Sequence, residues 1–230
     1  MNGSVILITG AFGALGAAVA RHLDQAGARL VAIDAAPALP DALAELYQDH
    51  RVLAGVDLTS VEQTRTAIAK AAERFSPIDG VVNIAGGFAW ETIAEGSIDT
   101  WDAMYAANLK TVVNVCQAAL PHVREEGGRI INVGANAAQR GGLGMGAYAA
   151  SKAGVLRLTE ALAEEVKDRG ITVNAILPGI IDTPANRSAM PDADRSRWVT
   201  PQAIAAVVAF LLSDASQPIT GAGIPVAGRL

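Results

Sequence analysis

Cysteine and clustered histidine are nearly absent from this chain, and their absence argues against two kinds of site. The one cysteine, Cys116, lies in a predicted helical run without a partner for an internal disulfide, so we interpret it as a small buried hydrophobic side chain. The three histidines, His22, His50 and His122, are scattered, and no group of His and Cys has the spacing of metal ligands. We therefore expect neither an internal disulfide nor a metal centre.

An excess of basic residues and a long apolar run are also missing. The net charge is −5, which argues against a nucleic-acid or anionic-membrane partner. The longest apolar run, residues 203–212, is too short to span a bilayer. The first residues lack a basic region and lead straight into a strand, so we predict no signal peptide. We expect a cytoplasmic protein whose partner is a small molecule.

Aromatic residues make up only 4% of the 230 residues, whereas hydrophobic residues reach 51% and are mostly Ala, Val, Ile and Leu. This composition is typical of a parallel sheet buried on both faces. Strands are predicted at 5–8, 30–33, 51–54, 80–84, 130–133, 171–177 and 224–226, and helices at 14–26, 39–48, 61–75, 98–124, 147–169 and 201–213. This alternation predicts one α/β domain over residues 1–230, a single-domain Rossmann-type doubly wound parallel sheet with helices on both faces.

A glycine-rich turn follows the first predicted strand and opens a helix, as in dinucleotide-binding units. Glycines let the backbone approach a pyrophosphate, and the helix N-terminus supplies N–H donors. The predicted contacts are Gly10, Phe12, Gly13, Ala14, Leu15 and Gly16. Asp34 ends the next strand, where an acid binds the adenosine ribose and repels a 2′-phosphate; this favours NAD(H) and leaves NADP(H) possible. The alternative role for Asp34 is a helix N-cap.

Tyr148 and Lys152 stand four residues apart at the start of a predicted helix, so they share one face. A neighbouring cation favours the phenolate and is expected to lower the pKa of Tyr148 from about 10. The pair is therefore a candidate proton donor and acceptor. The alternative is an ordinary tyrosine packed beside a solvated lysine.

With these motifs in order, the chain resembles the short-chain dehydrogenase/reductase family along nearly its whole length. The resemblance implies catalytic roles for Tyr148, Lys152 and Asn108, with Asn108 holding a water that links Lys152 to solvent. It adds further cofactor contacts at Asp57, Leu58, Asn83, Ala85, Gly86, Pro178, Gly179, Ile181 and Thr183, beside Tyr148 and Lys152 themselves. Two positions depart from the family pattern. Ala14 stands where the family usually has a glycine, and Ile84 stands where it usually has an asparagine.

A third departure concerns the substrate. The family's catalytic serine usually lies 13 residues before the tyrosine, and that position here is Ala135. Alanine cannot donate a hydrogen bond to a substrate carbonyl, and Asn136 or water remains as the alternative donor.

The missing serine, the glycine turn and residues 182–198 resemble the dihydropteridine reductase subgroup. That resemblance implies a planar conjugated substrate, such as a quinonoid dihydropterin, flanked by Phe88, Trp90 and Trp198 and covered by a loop at 182–198. Plain packing is the alternative role for these aromatic residues.

Two other functions stay open. One is a ketone or alcohol dehydrogenase such as a 3-oxoacyl reductase, and the other is a non-catalytic NAD-binding regulator. The long helices predicted at 98–124 and 147–169 carry apolar residues beyond one face, so we expect a homodimer or homotetramer.

Overall fold

The computed structural model describes residues 1–229, which form one seven-stranded parallel sheet between two layers of helices. The strands are β1 Val5–Thr9, β2 Arg29–Ile33, β3 Arg51–Leu53, β4 Gly80–Asn83, β5 Arg129–Val133, β6 Thr172–Pro178 and β7 Gly223–Val226, in the order β3-β2-β1-β4-β5-β6-β7. The helices are α1 Ala14–Gln25, α2 Ala44–Tyr47, α3 Val61–Phe75, α4 Ile98–Tyr105, α5 Thr111–Ala119, α6 Gly146–Val166, α7 Pro184–Ala189 and α8 Pro201–Leu211. The predicted fold class is confirmed.

The central strands form because their apolar runs are buried on both faces. Every residue of β1, β4, β5 and β6 is buried, as expected for a parallel sheet that helices cover on each side. One core lies between the sheet and helices α1 and α8, and a second core lies on the opposite face against α3, α5 and α6. Cys116 belongs to the second core and is 3% exposed, which confirms its predicted role as a buried hydrophobic residue.

The single helix predicted at 98–124 is wrong in its middle and at its end. Helix α4 stops at Tyr105, a π-helical turn occupies Ala106–Lys110, and α5 follows from Thr111. A short 3₁₀ turn, Leu120–His122, closes the segment at Pro121. The π-helical turn carries the buried Asn108, and such turns often lie at functional sites.

Two further segments differ from the prediction. The helix predicted at 39–48 is reduced to a 3₁₀ turn, Asp41–Leu43, and the four residues of α2. The loop predicted at 182–198 contains α7, because the Thr183 side chain accepts a hydrogen bond from Asn186 N and Pro184 occupies the first turn. Within residues 1–229, no helix is both long enough and apolar enough to cross a membrane.

The strand order places a crevice at the carboxyl edge of the sheet. Strand β1 pairs with β2 on one side and with β4 on the other, so the connections leave β1 in opposite directions. Ligands of such sheets bind outside the strand ends at this switch point. Thr9 and Asn83 end the two central strands there in direct register.

Candidate active site

A cleft of about 880 Å³ opens at this switch point. The predicted cofactor contacts that line it are Gly10, Phe12, Gly13, Ala14, Leu15, Gly16, Asp34, Asp57, Leu58, Ala85, Gly86 and Thr183. The lining also contains residues that were not predicted as cofactor contacts: Ala35, Ala36, Pro40, Val56, Thr59, Ile84, Ala107, Thr111, Pro184 and Ala185. Most of these are chain neighbours of predicted residues. Ala107 and Thr111 come from the π-helical turn and the start of α5, for which the sequence carried no signal.

The glycine turn brings backbone against backbone at two points. Gly10 has a φ of +64°, and a Cβ there would lie 2.8 Å from Ala85 N. A Cβ on Gly16 would lie 2.1 Å from Gly10 O, so this glycine lets α1 pack against the end of β1. Ala14 occupies the first, exposed position of α1, where its methyl group is tolerated.

The start of α1 leaves backbone donors for an anion. Gly13 caps the helix without a side chain, and no acidic residue lies in the first turn. Within residues 1–229, no acceptor meets the N–H groups of Ala14, Leu15 and Gly16. These donors line the cleft, and together with the helix dipole they suit the pyrophosphate of a dinucleotide.

Asp34 is held rigidly at the rim of the cleft. Its two carboxylate oxygens accept hydrogen bonds of 2.9 Å from Phe12 N and Ala36 N. No helix begins immediately after Asp34, which removes the helix N-cap as an explanation. Asp57 is the other acid in the lining, and hydrogen bonds from Thr59 lower the pKa of its carboxyl group. The described lining contains no lysine or arginine.

Lys152 and Tyr148 lie on the first two turns of α6, as predicted. Lys152 is 5% exposed, its Nζ donates a 2.8 Å hydrogen bond to Val133 O, and burial lowers its pKa to about 8. Burial also raises the pKa of Tyr148, without an opposing shift from the ammonium group. The pKa of Tyr148 is therefore raised and not lowered as predicted, because burial dominates and the Lys152 ammonium group is bound to Val133 O at the end of β5.

The side chain of Asn108 is hydrogen-bonded to the backbone that follows β4. Its Oδ1 accepts a 2.9 Å hydrogen bond from Gly87 N, and its Nδ2 donates to Gly87 O at 3.1 Å and to Ser151 Oγ at 3.0 Å. A Cβ on Gly86 would lie 2.5 Å from Asn108 Oδ1 and 3.4 Å from Lys152 Nζ. Gly86 therefore lets the β4 loop approach both side chains. The water relay through Asn108 stays a prediction.

The predicted substrate residues differ in their position relative to Tyr148 and in their exposure to solvent. Phe88 contacts Tyr148 edge to face, with ring centroids 4.9 Å apart, and Trp90 lies on the same loop. Ala135 is buried and precedes a 3₁₀ turn that begins at Asn136, whose exposed amide makes no hydrogen bond within residues 1–229. Trp198 is 7% exposed and lies outside the cleft lining, so packing describes it better than substrate contact.

Besides Tyr148 and Lys152, four predicted cofactor contacts do not line the cleft. Asn83 is buried behind it, where its Nδ2 donates to Asn132 Oδ1 at 2.9 Å. Pro178 ends β6, Gly179 follows, and Ile181 bridges to Val199. These residues keep their assignment only as a prediction from the family resemblance.

Residues 4–194 match the family model described as short chain dehydrogenase. The chain belongs to this family. It is 33% identical to a 3-oxoacyl-(acyl-carrier-protein) reductase of Thermotoga maritima, over all of this chain and 98% of that protein. It is 34% identical to an acetoacetyl-CoA reductase of Allochromatium vinosum, over 98% of each. This short-chain dehydrogenase is therefore an oxidoreductase.

Solved structures of similar proteins contain a nicotinamide cofactor. A blue fluorescent protein from a metagenomic library, in complex with NADPH, superposes with a TM-score of 0.89 at 32% identity, covering 99% of this chain and 97% of that one. A carveol dehydrogenase from Mycobacterium avium, in complex with NAD, gives a TM-score of 0.88 at 28% identity with the same coverage. The short-chain dehydrogenase described here binds a nicotinamide cofactor, for which the glycine turn and the free donors of α1 are suited.

Proposed function

We propose that this short-chain dehydrogenase uses NAD(H) to interconvert a small carbonyl compound and its secondary alcohol. One observation carries the proposal. The loop that follows β4, at the edge of the cofactor cleft, lies against the side chains of Tyr148, Lys152 and Asn108. The names of the two sequence relatives support it, since both describe reductases of a 3-oxoacyl group.

The preference for NAD(H) rests on charge. Phe12 N and Ala36 N hold the carboxylate of Asp34 at the rim, with lone pairs remaining for the ribose hydroxyl groups. A 2′-phosphate would meet Asp34 and Asp57 without a lysine or arginine in the described lining to neutralise it. Related structures hold NADPH in one case and NAD in another, so the proposed preference rests on these two acidic side chains and not on the fold.

The cofactor supplies the hydride when it is bound. Tyr148 would donate the accompanying proton from its phenol, as the family resemblance implies. Lys152 is held by Val133 O beside Gly86, where it would hydrogen-bond the nicotinamide ribose, as the family resemblance implies. Asn108 positions Gly87 and, through Ser151, the first turn of α6 that carries Tyr148.

A carbonyl substrate needs a donor in place of the missing hydroxyl at Ala135. We assign this role to the side-chain amide of Asn136, which follows Ala135 and is exposed without an intramolecular partner in residues 1–229. An amide N–H donates to a carbonyl oxygen as a hydroxyl does.

A second candidate is reduction of a planar, conjugated substrate such as a quinonoid dihydropterin. The specific observation in its favour is Ala135 itself, together with the aromatic ring of Phe88 beside Tyr148. A conjugated, electron-poor ring needs less polarisation by a hydrogen bond than an isolated ketone does.

The test is a screen of NADH oxidation with ethyl acetoacetate, an S-acetoacetyl thioester and quinonoid dihydropterin, with Tyr148→Phe as the matched inactive control. Reduction of the first two compounds, lost in Tyr148→Phe, supports the carbonyl reductase. Turnover of the pterin alone overturns it in favour of the second candidate. Asn136→Ala should lower kcat/KM for the keto ester about tenfold or more, because it removes the proposed donor.

A further inference from the structure

The segment between β4 and α4 is fixed by hydrogen bonds at two points beside the site. At one end, Gly87 exchanges two hydrogen bonds with the side chain of Asn108. At the other end, Glu91 N donates a 2.8 Å hydrogen bond to Gly144 O, in the loop before α6. Phe88 and Trp90 lie between these two hydrogen-bonded positions, so elements on both sides of the segment fix where they lie.

These two aromatic side chains, which we call the aromatic wall, remain largely open to solvent. Phe88 is 60% exposed and Trp90 is 58% exposed. Phe88 also packs edge to face on Tyr148, with an interplanar angle of 77°. Large apolar side chains held open beside a catalytic group are typical of a surface that a ligand covers.

Gly144 lies directly against Trp90 of the aromatic wall. Its φ is +69°, and a Cβ there would lie 2.2 Å from Cε2 and 2.4 Å from Nε1 of Trp90. The indole therefore packs directly on the backbone of the loop before α6, where only glycine leaves room. Gly141, in the same loop, is different, because a Cβ there would meet only Ala149 Cβ at 3.9 Å.

We infer that the aromatic wall selects carbonyl substrates that carry a flat aromatic group near the reacting carbon, with Trp90 seated on Gly144 as the specificity-determining contact. The inference rests on the proposed carbonyl chemistry and adds the class of substrate. Phe88, one of the two residues of the wall, contacts Tyr148. An aromatic group lying on the wall would therefore place the attached carbonyl near the proton donor. Aromatic pairs prefer such offset or edge-to-face contacts at these separations.

The kinetic test compares 4-phenylbutan-2-one with butan-2-one, which share the methyl ketone and differ by the phenyl group. The wild-type protein should show the higher kcat/KM for the phenyl compound. Trp90→Ala should lower the ratio of the two values about three- to tenfold, the effect expected for one aromatic contact. Gly141→Ala is the matched control and should leave the ratio unchanged.

A double-mutant cycle tests the contact with Gly144. Gly144→Ala displaces the indole and should lower the same ratio, whereas in the Trp90→Ala background it should have no further effect on it. Backbone strain at Gly144 acts on both substrates alike, so the ratio isolates the displaced indole. If Gly144→Ala lowers the ratio equally in both backgrounds, Trp90 is not the specificity contact and the inference falls.

Binding of unreactive amides separates this inference from the proposed reaction. N-Benzylacetamide and N-methylacetamide reproduce the two ketones but cannot accept a hydride, and their Kd values with the NAD⁺-bound protein are measured by calorimetry. Tighter binding of the benzyl compound, lost in Trp90→Ala, supports the wall even if neither ketone is reduced.

Two further results overturn the inference. In the first, both ketones are reduced equally and both amides bind equally, which leaves the carbonyl reductase intact without an aromatic preference. In the second, Trp90→Ala leaves every ratio unchanged but lowers the molecular mass measured by light scattering. That result assigns the wall to a contact between copies of the chain.

Discussion

Replacing Lys152 by methionine tests how strongly the fold desolvates the ammonium group of this side chain. The two side chains have similar length, but methionine carries no charge. Lys152 is 5% exposed, and its Nζ has one protein acceptor, Val133 O, at 2.8 Å. Burial lowers its pKa from 10.5 to about 8. A buried charge that costs stability should make unfolding depend on pH in a way that the methionine variant does not.

The size and sign of the effect follow from that pKa. A fall from 10.5 to about 8 corresponds to about 3 kcal/mol of unfavourable free energy for the charged form in the folded chain. Below pH 8 both states hold the proton, so the whole penalty is present. Between pH 8 and 10.5 the unfolded chain binds more protons, so the stability due to Lys152 rises with pH. At pH 7 the lost hydrogen bond to Val133 O offsets part of the gain in Lys152→Met.

The assay is urea unfolding followed by circular dichroism from pH 7 to 10 at one protein concentration, for wild type and Lys152→Met. The free energy of unfolding of wild type should rise relative to Lys152→Met by up to about 1.4 kcal/mol per pH unit above pH 8. Lys70→Met, on the exposed face of α3, is the control for removing one lysine. A constant difference between wild type and Lys152→Met over this range would refute the claim that Lys152 is strongly desolvated.

Four other predictions concern catalysis, cofactor, substrate and assembly. Tyr148→Phe should lower kcat by about 10²–10⁴-fold, because it removes the proton donor; a loss smaller than tenfold would exclude that role. Asp34→Ala should bring the Kd for NADPH closer to the lower Kd for NADH. Equal Kd values in the wild-type protein would contradict the charge argument. In a variant shown to be folded, Ala135→Ser should raise ketone turnover relative to pterin turnover, and an unchanged ratio would mean that another donor already orients the carbonyl. Light scattering at micromolar concentration should give a dimer or tetramer, since α4 exposes Ile98 and Tyr105 on one face, whereas a monomeric mass would contradict this.

The helices and strands were predictable where one local pattern decides the structure. The runs that became β1 and β6 are apolar on both sides of the strand, and only a parallel sheet covered by helices buries them. Helix α3 was predicted at its observed bounds, because Ser60 caps it and its apolar residues face one side. Strand β3 and helix α2 are shorter than predicted. Where such elements end depends on contacts with other segments, which local sequence patterns do not describe.

The sequence by itself determined the cofactor cleft, because its residues follow strand ends and the carboxyl ends of parallel strands meet at one edge. Gly10, Gly16 and Asp34 could be placed there by spacing alone. Tyr148 and Lys152 could be placed on one helix, but not the directions of their pKa shifts. Those directions depend on burial and on Val133 O, which belongs to a strand distant in sequence.

Only the tertiary structure showed which of the candidate substrate residues are buried and which are exposed. Trp198 and Trp90 were equal candidates in the sequence, yet one is buried and the other is exposed above Gly144. The π-helical turn at Asn108 lies in a segment whose sequence pattern predicts an unbroken helix, and its side chain is engaged with Gly87 from another loop. These features arise from contacts between segments far apart in the chain. Helical and strand periodicities describe only which face of one element is buried, so they carry no information about such pairs.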